Sequence, residues 1–446
     1  MKDLKYISAE GSVMENGLLA RLLEGHEKAL DRDGVSGTRL AERLAALSEI
    51  GDTAEGGVDR TGFSFEEKQA KEQVMLWMRE AGLDVREDGA GNVIGRLEGK
   101  SDGPAFAAGS HVDSVPNGGN FDGPLGVLTA LEVAEAWKGT GFVPPVPYEV
   151  LIFSEEEGSR FGAGILGSQA MTGDLDRAAV DRLTDNEGRP FSEVIGDYGS
   201  SEEAFFASAR DLAEIGFYTE VHIEQGKLLE AADLPAGIVK GIAGPAWLDI
   251  RFAGSAGHAG NTPMAGRRDP LVAAGRFVFE ASSLPPSVSE TAVATVGRLT
   301  VSPNGTNVIP EQVELTVDIR DLDKDARDAL VEKVWETAER CAAERGVQVE
   351  LELASSIDPV PVEESIREEL REVFRAEGLE PMELMSGAGH DAMILGRHMP
   401  MAMIFVRSQD GVSHNPAEWT DLSDCVQGVH LLKKFAERQM ERMAGK

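Results

Sequence analysis

Cysteine is nearly absent from this chain, with only Cys341 and Cys425 among 446 residues. Cys341 falls in a helical pattern and neither residue belongs to a Cys-x-x-Cys spacing, which argues against a disulfide framework and against a thiolate metal site. Long apolar runs are missing too. The longest are strand-sized, so no segment is expected to cross a membrane. The opening MKDLKYISAEGSVMENGLL lacks the basic-then-apolar order of a secretory signal, and a cytoplasmic protein is expected. Basic charge is scarce: 43 Lys and Arg stand against 77 Asp and Glu, a net charge of −34. That balance argues against nucleic acid or an anionic membrane as a partner. The acid is spread along the chain and not gathered into a tail. Such a surface keeps a protein soluble; a saline habitat and a plain acidic composition both account for it. Internal repeats and low-complexity segments are also lacking.

What is present is enough chain for two domains, with an ordinary hydrophobic fraction of 42%. The stretch Gly109 to Phe161 organises the rest. An apolar run, AFAAGSHV, brings His111 and Asp113 to what should be a strand end. Asp122 follows in a Gly/Asn/Asp-rich loop, then a helical pattern from Leu125 to Trp137. A second apolar run, YEVLIFS, delivers Glu155, Glu156 and Glu157. This β-loop-α-β unit sets one imidazole and several carboxylates at one sheet edge, where open α/β sheets bind ligands.

Before it, residues 1 to about 36 read as a helical lead-in. SGTRLAERLAALSEIG is a helix capped by Ser36, and FSFEEKQAKEQVMLWMREAGLDV a helix capped by Ser64 and stopped at Gly82. Residues Met171 to Ala213 are less periodic, with helices and loops expected. FYTEVHIEQG is a strand ending in His222, Glu224 and Gln225. From about Ile238 the order becomes β-α-β-β-α-β, a ferredoxin-like unit, after which the α/β pattern returns. The expected fold is α/β: a discontinuous domain with a mixed sheet (1–237 and 355–446) and an inserted ferredoxin-like domain (238–354).

Of eight histidines, His26, His398 and His430 lie in or beside helical patterns and read as ordinary satisfied residues. His111 and His222 end strands, and His258, His390 and His414 sit in loops with Gly, Ser and Asn, where sites are found. Three glutamates after a buried strand are costly without a cation. Two adjacent glutamates permit a division of labour, one binding metal and its neighbour handling a proton. Asp113, two residues beyond His111 and on the same strand face, suits a partner for that imidazole. His and carboxylate ligands together favour zinc or manganese over calcium or magnesium. The residues alone point to a two-metal hydrolase on an α/β sheet.

Nine ordered motifs carry a resemblance: GSHVDSV, GGNFDGPLGV, SEEEGSRF, HIEQG, GSAGHAGNTPM, NGTNVIP, DIRD, SGAGHDAM and GVSHNPAEW. They resemble the M20 family of dinuclear metallopeptidases and amidases, and within it the carbamoylase branch, from roughly Gly37 to Leu432. The resemblance implies two divalent ions per subunit, zinc or manganese, with cobalt and nickel also possible. His111, Asp122 and His222 would hold one ion; Asp122, Glu157 and His414 would hold the other, with Asp122 bridging. Glu156 would be the general base and Asp113 would orient His111. His258 would steady the oxyanion, Arg320 would fork the substrate carboxylate beside Asn307, and Gln225 and His390 would contact the ureido end. The second domain would serve as lid and as homodimer interface. The implied reaction is cleavage of an N-carbamoyl-L-amino acid to the amino acid, carbon dioxide and ammonia. Allantoate and β-ureidopropionate are the alternative substrates. A non-catalytic metal-binding protein would lack a ligand or the base, and none is missing here.

Overall fold

The computed structural model describes residues 17–445; the part of the expected lead-in that falls in residues 1–16 lies outside them. The described chain forms two compact units. The first holds residues 17–238, Ser365–Met382 and residues 394–445; the second holds Val239–Glu364 and Glu383–Met393.

The first unit is built on a mixed sheet. Its order is Asp84–Glu87, Val93–Leu97, Tyr148–Phe153, Ala105–His111, Ile215–Ile223 and Met401–Val406, after which Ala236 to Ile238 add an antiparallel edge. The four central strands, from Tyr148–Phe153 to Met401–Val406, run parallel. Parallel strands covered on both faces read as continuous apolar runs. Accordingly every residue of AFAAGSH, YEVLIF and MAMIFV is buried. The crossover between the first two is the helix Pro124–Thr140, which packs against the closing helix Leu422–Ala444. It opens with proline in its first turn and ends at Gly141 in the left-handed conformation.

Local signals place the flanking helices. Ser36 accepts from the Arg39 amide and starts Gly37–Ser48. Ser64 accepts from the Glu67 amide and starts Phe65–Ala81, which Gly82 ends with a φ of 98°. The short strand Asp84–Glu87 that follows was not foreseen; only four residues long and largely exposed, it carries little apolar pattern. The weakly periodic stretch resolves into helices Leu166–Thr172, Arg177–Val180, Phe191–Tyr198 and Glu202–Phe206. They close over an aromatic cluster of Phe63, Phe161, Phe191, Tyr198 and Phe205.

The second unit contains a four-stranded antiparallel sheet ordered Gln348–Ser356, Gly244–Ala253, Gln312–Asp321 and Val293–Ser302. Helices Pro270–Ala281 and Lys324–Arg345 pack on it. Alternate residues Ala246, Leu248, Ile250 and Phe252 point into a core shared with Phe277, Leu330, Val334 and Cys341. Among the described residues no helix is long and apolar enough to cross a membrane.

Candidate metal and catalytic site

The parallel strands of the first unit end side by side, and their carboxyl ends carry the chemistry. His111 is the last residue of its strand and only 1% exposed. Its Nδ1 donates to the main-chain carbonyl of Asp113 at 3.0 Å. That leaves the Nε2 lone pair free, 3.6 Å from Asp122 Oδ1 and 3.7 Å from Glu156 Oε2. His222 repeats the device. Its Nδ1 donates to the Ile223 carbonyl at 3.0 Å, and its Nε2 lies 3.1 Å from Asp122 Oδ1. Across Asp122, His414 Nε2 lies 3.4 Å from Oδ2 and 3.2 Å from Glu157 Oε2. His111, Asp122 and His222 thus form one group able to hold a metal ion, and Asp122, Glu157 and His414 another. Asp122 contributes one carboxylate oxygen toward each.

The residues fit such ions on this structure's own terms. His111 Nε2 is buried and has no hydrogen-bond partner, a position that polar atoms rarely occupy unless something else binds them. Both buried imidazoles spend Nδ1 on a carbonyl, which is how metal-ligating histidines are oriented. The electrostatics ask for positive charge. Burial opposes protonation of His111, but Glu156, Asp113 and Asp122 outweigh it and hold the imidazole well above its ordinary range. Burial likewise opposes ionisation of Asp122, yet His222, His111 and His414 hold its carboxyl well below the usual range. Hydrogen bonds to Asp122 and Glu157 push His414 up to about 10.

Asp113 differs from its expected placement. The strand stops at His111, so Asp113 lies beyond it and does not share a strand face with it. The Asp113 carboxylate reaches across to the segment that follows the neighbouring strand. It accepts from the main-chain amides of Glu156 at 3.3 Å and Glu157 at 3.1 Å, and stands 3.4 Å from His111 Nδ1. Glu155, the first of the three glutamates, turns away from this group. It adopts a φ of 49° and accepts from the amides of Arg160 and Phe161. Burial pushes its carboxyl up to about 8. Gln225 joins the site: its Nε2 donates to Asp122 Oδ2 at 2.6 Å.

The second unit carries the other expected residues. His258 is exposed and pairs with Val308 in a two-residue strand, which brings Asn307 beside it. Its Nδ1 accepts from the amides of Gly260 and Asn261, so Nε2 carries the proton. The Arg320 fork is engaged by Asp318 through Nε at 2.9 Å and Nη2 at 2.7 Å, and Nη1 donates to the Gly387 carbonyl. His390 is buried and bonded to Ser386 Oγ at 2.8 Å. The three histidines read as ordinary have local partners: His26 bonds Asp31, His398 bonds Asp174 and His430 donates to the Leu30 carbonyl.

Sequence reasoning missed Ser413 and Glu418. The Ser413 hydroxyl lies 2.6 Å from Asp122 Oδ2 and 3.0 Å from Glu418 Oε2. Glu418 accepts from the amides of Phe121 and Asp122 and so fixes the loop that presents Asp122. Both lie in GVSHNPAEW, where the resemblance singles out His414 and nothing in the pattern shows that Ser413 and Glu418 reach the Asp122 loop.

Comparison with known proteins identifies the family. Residues 107–438 match the model of "Peptidase family M20/M25/M40". The chain is 45% identical over 399 residues to an N-carbamoyl-L-amino acid amidohydrolase of Geobacillus stearothermophilus, covering 89% of this chain and 97% of that one. It is 34% identical over 394 residues to the allantoate amidohydrolase of Bacillus subtilis, covering 88% and 95%. Among solved structures, an amidase of the hydantoinase/carbamoylase family from Burkholderia multivorans superposes with a TM-score of 0.85 at 33% identity, over 91% of this chain and 98% of the other. The chain therefore belongs to peptidase family M20/M25/M40 and, within it, to the carbamoylase branch of metallo-amidases.

Proposed function

We propose that this chain is a metal-dependent amidohydrolase that cleaves N-carbamoyl-L-amino acids to L-amino acid, carbon dioxide and ammonia. The observation that carries the reading is the shared Asp122, flanked by His111 and His222 on one side and by Glu157 and His414 on the other, with Glu156 facing His111. The likeness to the Geobacillus enzyme supports the substrate class.

His111, Asp122 and His222 would hold one divalent ion, and Asp122, Glu157 and His414 a second; zinc or manganese suits the set, with cobalt or nickel possible. Bound there, the ions supply Lewis acidity and a water of lowered pKa. Glu156 takes a proton from the attacking water and delivers it to the leaving nitrogen as the ureido C–N bond breaks. The carbamate released with the amino acid falls apart to carbon dioxide and ammonia. Asp113 orients His111 and, through two amides, holds Glu156 and Glu157 in place. Gln225 and His390 contact the ureido group, Arg320 and Asn307 the substrate carboxylate, and His258 the developing oxyanion.

The inserted domain, 238–354, is read as a ferredoxin-like lid and homodimer interface, with 1–237 and 355–446 as the catalytic domain. Its strand-helix-strand-strand-helix-strand order supports that reading.

The test is ammonia release with added manganese or zinc from several N-carbamoyl-L-amino acids, one D-enantiomer, β-ureidopropionate and allantoate, with release of the free amino acid measured for an N-acetyl amino acid. Release from the L-carbamoyl compounds alone supports the proposal. Release from allantoate alone keeps the site and changes the substrate, an outcome for which the Bacillus relative is the precedent. Silence across the metal-loaded panel refutes it.

A further inference from the structure

Arg60 belongs to none of the motifs discussed above, yet it is among the largest fully buried side chains of the chain, 1% exposed. Among the described residues no carboxylate lies within ion-pair distance of it. A buried charge of that kind is expensive, and burial pushes the guanidinium down to about 10, still far above neutral. What it has instead is main-chain carbonyls. Nη1 donates to Leu47 at 3.0 Å and Ile50 at 3.2 Å, at and just beyond the end of the helix Gly37–Ser48. Helix ends present unsatisfied carbonyls and partial negative charge, which favours a cation there. Nε donates to the carbonyl of Val112 at 2.9 Å. That carbonyl belongs to the peptide between Val112 and Asp113, in the link from His111 to Asp113.

The main chain of Arg60 grips the same stretch. Its amide donates to Ser114 Oγ at 3.0 Å, and its carbonyl accepts from the Ser114 amide at 3.1 Å. Two residues earlier, Val58 and Gly118 exchange amide-carbonyl bonds of 3.1 and 2.8 Å. The segment Val58–Arg60 therefore braces the chain from the strand end toward the loop that carries Asp122. Once the Val112 carbonyl is fixed, the plane of its peptide is fixed. The Asp113 carbonyl that orients His111 and the Asp113 carboxylate that holds Glu156 and Glu157 both hang from that peptide.

We propose that Arg60 is a positioning residue for the metal site, acting through its fork of main-chain hydrogen bonds to set His111 and Asp113 before any ion arrives. The inference rests on the metal-site reading above. It differs in sign from a purely electrostatic role. A buried cation acting through charge alone opposes a divalent ion, so its removal would tighten binding. Loss of a positioning group weakens binding, typically about 10- to 100-fold for residues that support ligands.

The experiment is a Co2+ titration of the full chain, read by the visible absorption of the bound ion, on wild type, Arg60→Met, Arg60→Lys and Ser114→Ala. Far-UV circular dichroism and melting verify folding. Wild type that binds no Co2+ refutes the metal-site reading itself. With wild type binding, the expected result is affinity about 10- to 100-fold weaker in both Arg60→Met and Arg60→Lys, with an altered spectrum. Unchanged or tighter binding in Arg60→Met overturns the proposal. So does wild-type binding in Arg60→Lys, which keeps the charge but not the fork. Should Arg60→Met fail to fold, Arg60→Lys decides, because it keeps the charge and loses the fork. Ser114→Ala removes the acceptor of the Arg60 amide and leaves the guanidinium fork in place, so it is the control: it should bind more tightly than either Arg60 variant, and weakening as large as theirs assigns the effect to the main chain of the segment and overturns the proposal.

Discussion

Gly123 sits between Asp122 and the crossover helix, and replacing it by alanine should cost the enzyme its metal before it costs the fold. Its φ of 80° and ψ of −61° lie where L-residues are strained. A methyl group there would stand 2.4 Å from His111 Cε1, 2.5 Å from Nδ1 and 2.7 Å from Nε2. Carbon contacts are normally about 3.5 to 4.0 Å, so the imidazole must retreat by roughly 1 Å. Metal-ligand distances tolerate only about 0.2 Å. The backbone strain costs about 1 to 3 kcal/mol and the crowding about 1 to 3 kcal/mol more. Against a typical domain stability of about 5 to 15 kcal/mol, Gly123→Ala is expected to fold. It should melt several degrees lower and lose most of its metal on dialysis. Gly139, on the same helix, is the control. A methyl group there meets nothing within 4 Å, so Gly139→Ala should be stabilised by about 0.5 to 1 kcal/mol with metal unchanged. Metal content by plasma mass spectrometry and melting curves read both. Full metal and full turnover in Gly123→Ala would refute the packing argument and the placement of His111 with it.

Glu156→Gln should keep its metal and lose about 100- to 10,000-fold in kcat; wild-type turnover removes Glu156 from the role of base. Chelation should destabilise the first unit selectively, and the two buried cysteines report it: Cys425 lies in that unit and Cys341 in the other. With a chelator, Cys425 should react with a thiol reagent at lower temperature while Cys341 does not; equal shifts argue against a site confined to the first unit. Arg320→Ala should raise KM for the carboxylate substrate, and an unchanged KM excludes Arg320 from binding it. Burial depresses His430 below its ordinary 6.5. The unfolded chain therefore binds the proton more readily, and stability present above pH 6.5 is lost as pH falls through the depressed value. His430→Gln should flatten that acid side of the melting-temperature profile; an unaltered slope assigns it to other groups.

The sequence made legible those features whose signal is local. Continuous apolar runs marked the parallel strands, and Ser36, Ser64 and Gly82 marked helix ends because each meets a main-chain group within a turn. His and carboxylates after those runs marked the sheet edge. The aromatic cluster around Phe63 was not legible, because helices of four to eight residues are too short to show a period. Asp113 was read as a strand residue because alternation was extended two positions too far, past His111 where the strand ends. Arg60 and Glu418 escaped for a deeper reason. Arg60 reaches the Val112 carbonyl and Glu418 the amides of Phe121 and Asp122, main-chain groups distant in the chain, and no side-chain pattern encodes such a partner.

That contrast bears on how the site is built. The proposed ligands come from different segments, and packing alone does not set the distances between them. What fixes them are polar groups that reach between segments and end on the main chain. Asp113 joins the end of one strand to the two glutamates beyond the next. Glu418 joins the His414 segment to the Asp122 loop. Arg60 joins the helix end near Leu47 to the peptide beside His111. A bond to a backbone amide fixes where a side chain is presented without consuming the side chain itself. The identities of the ligands say which chemistry is possible. The three connectors decide whether the distances between those ligands suit it, and substitution of any one should change metal affinity more than it changes the fold.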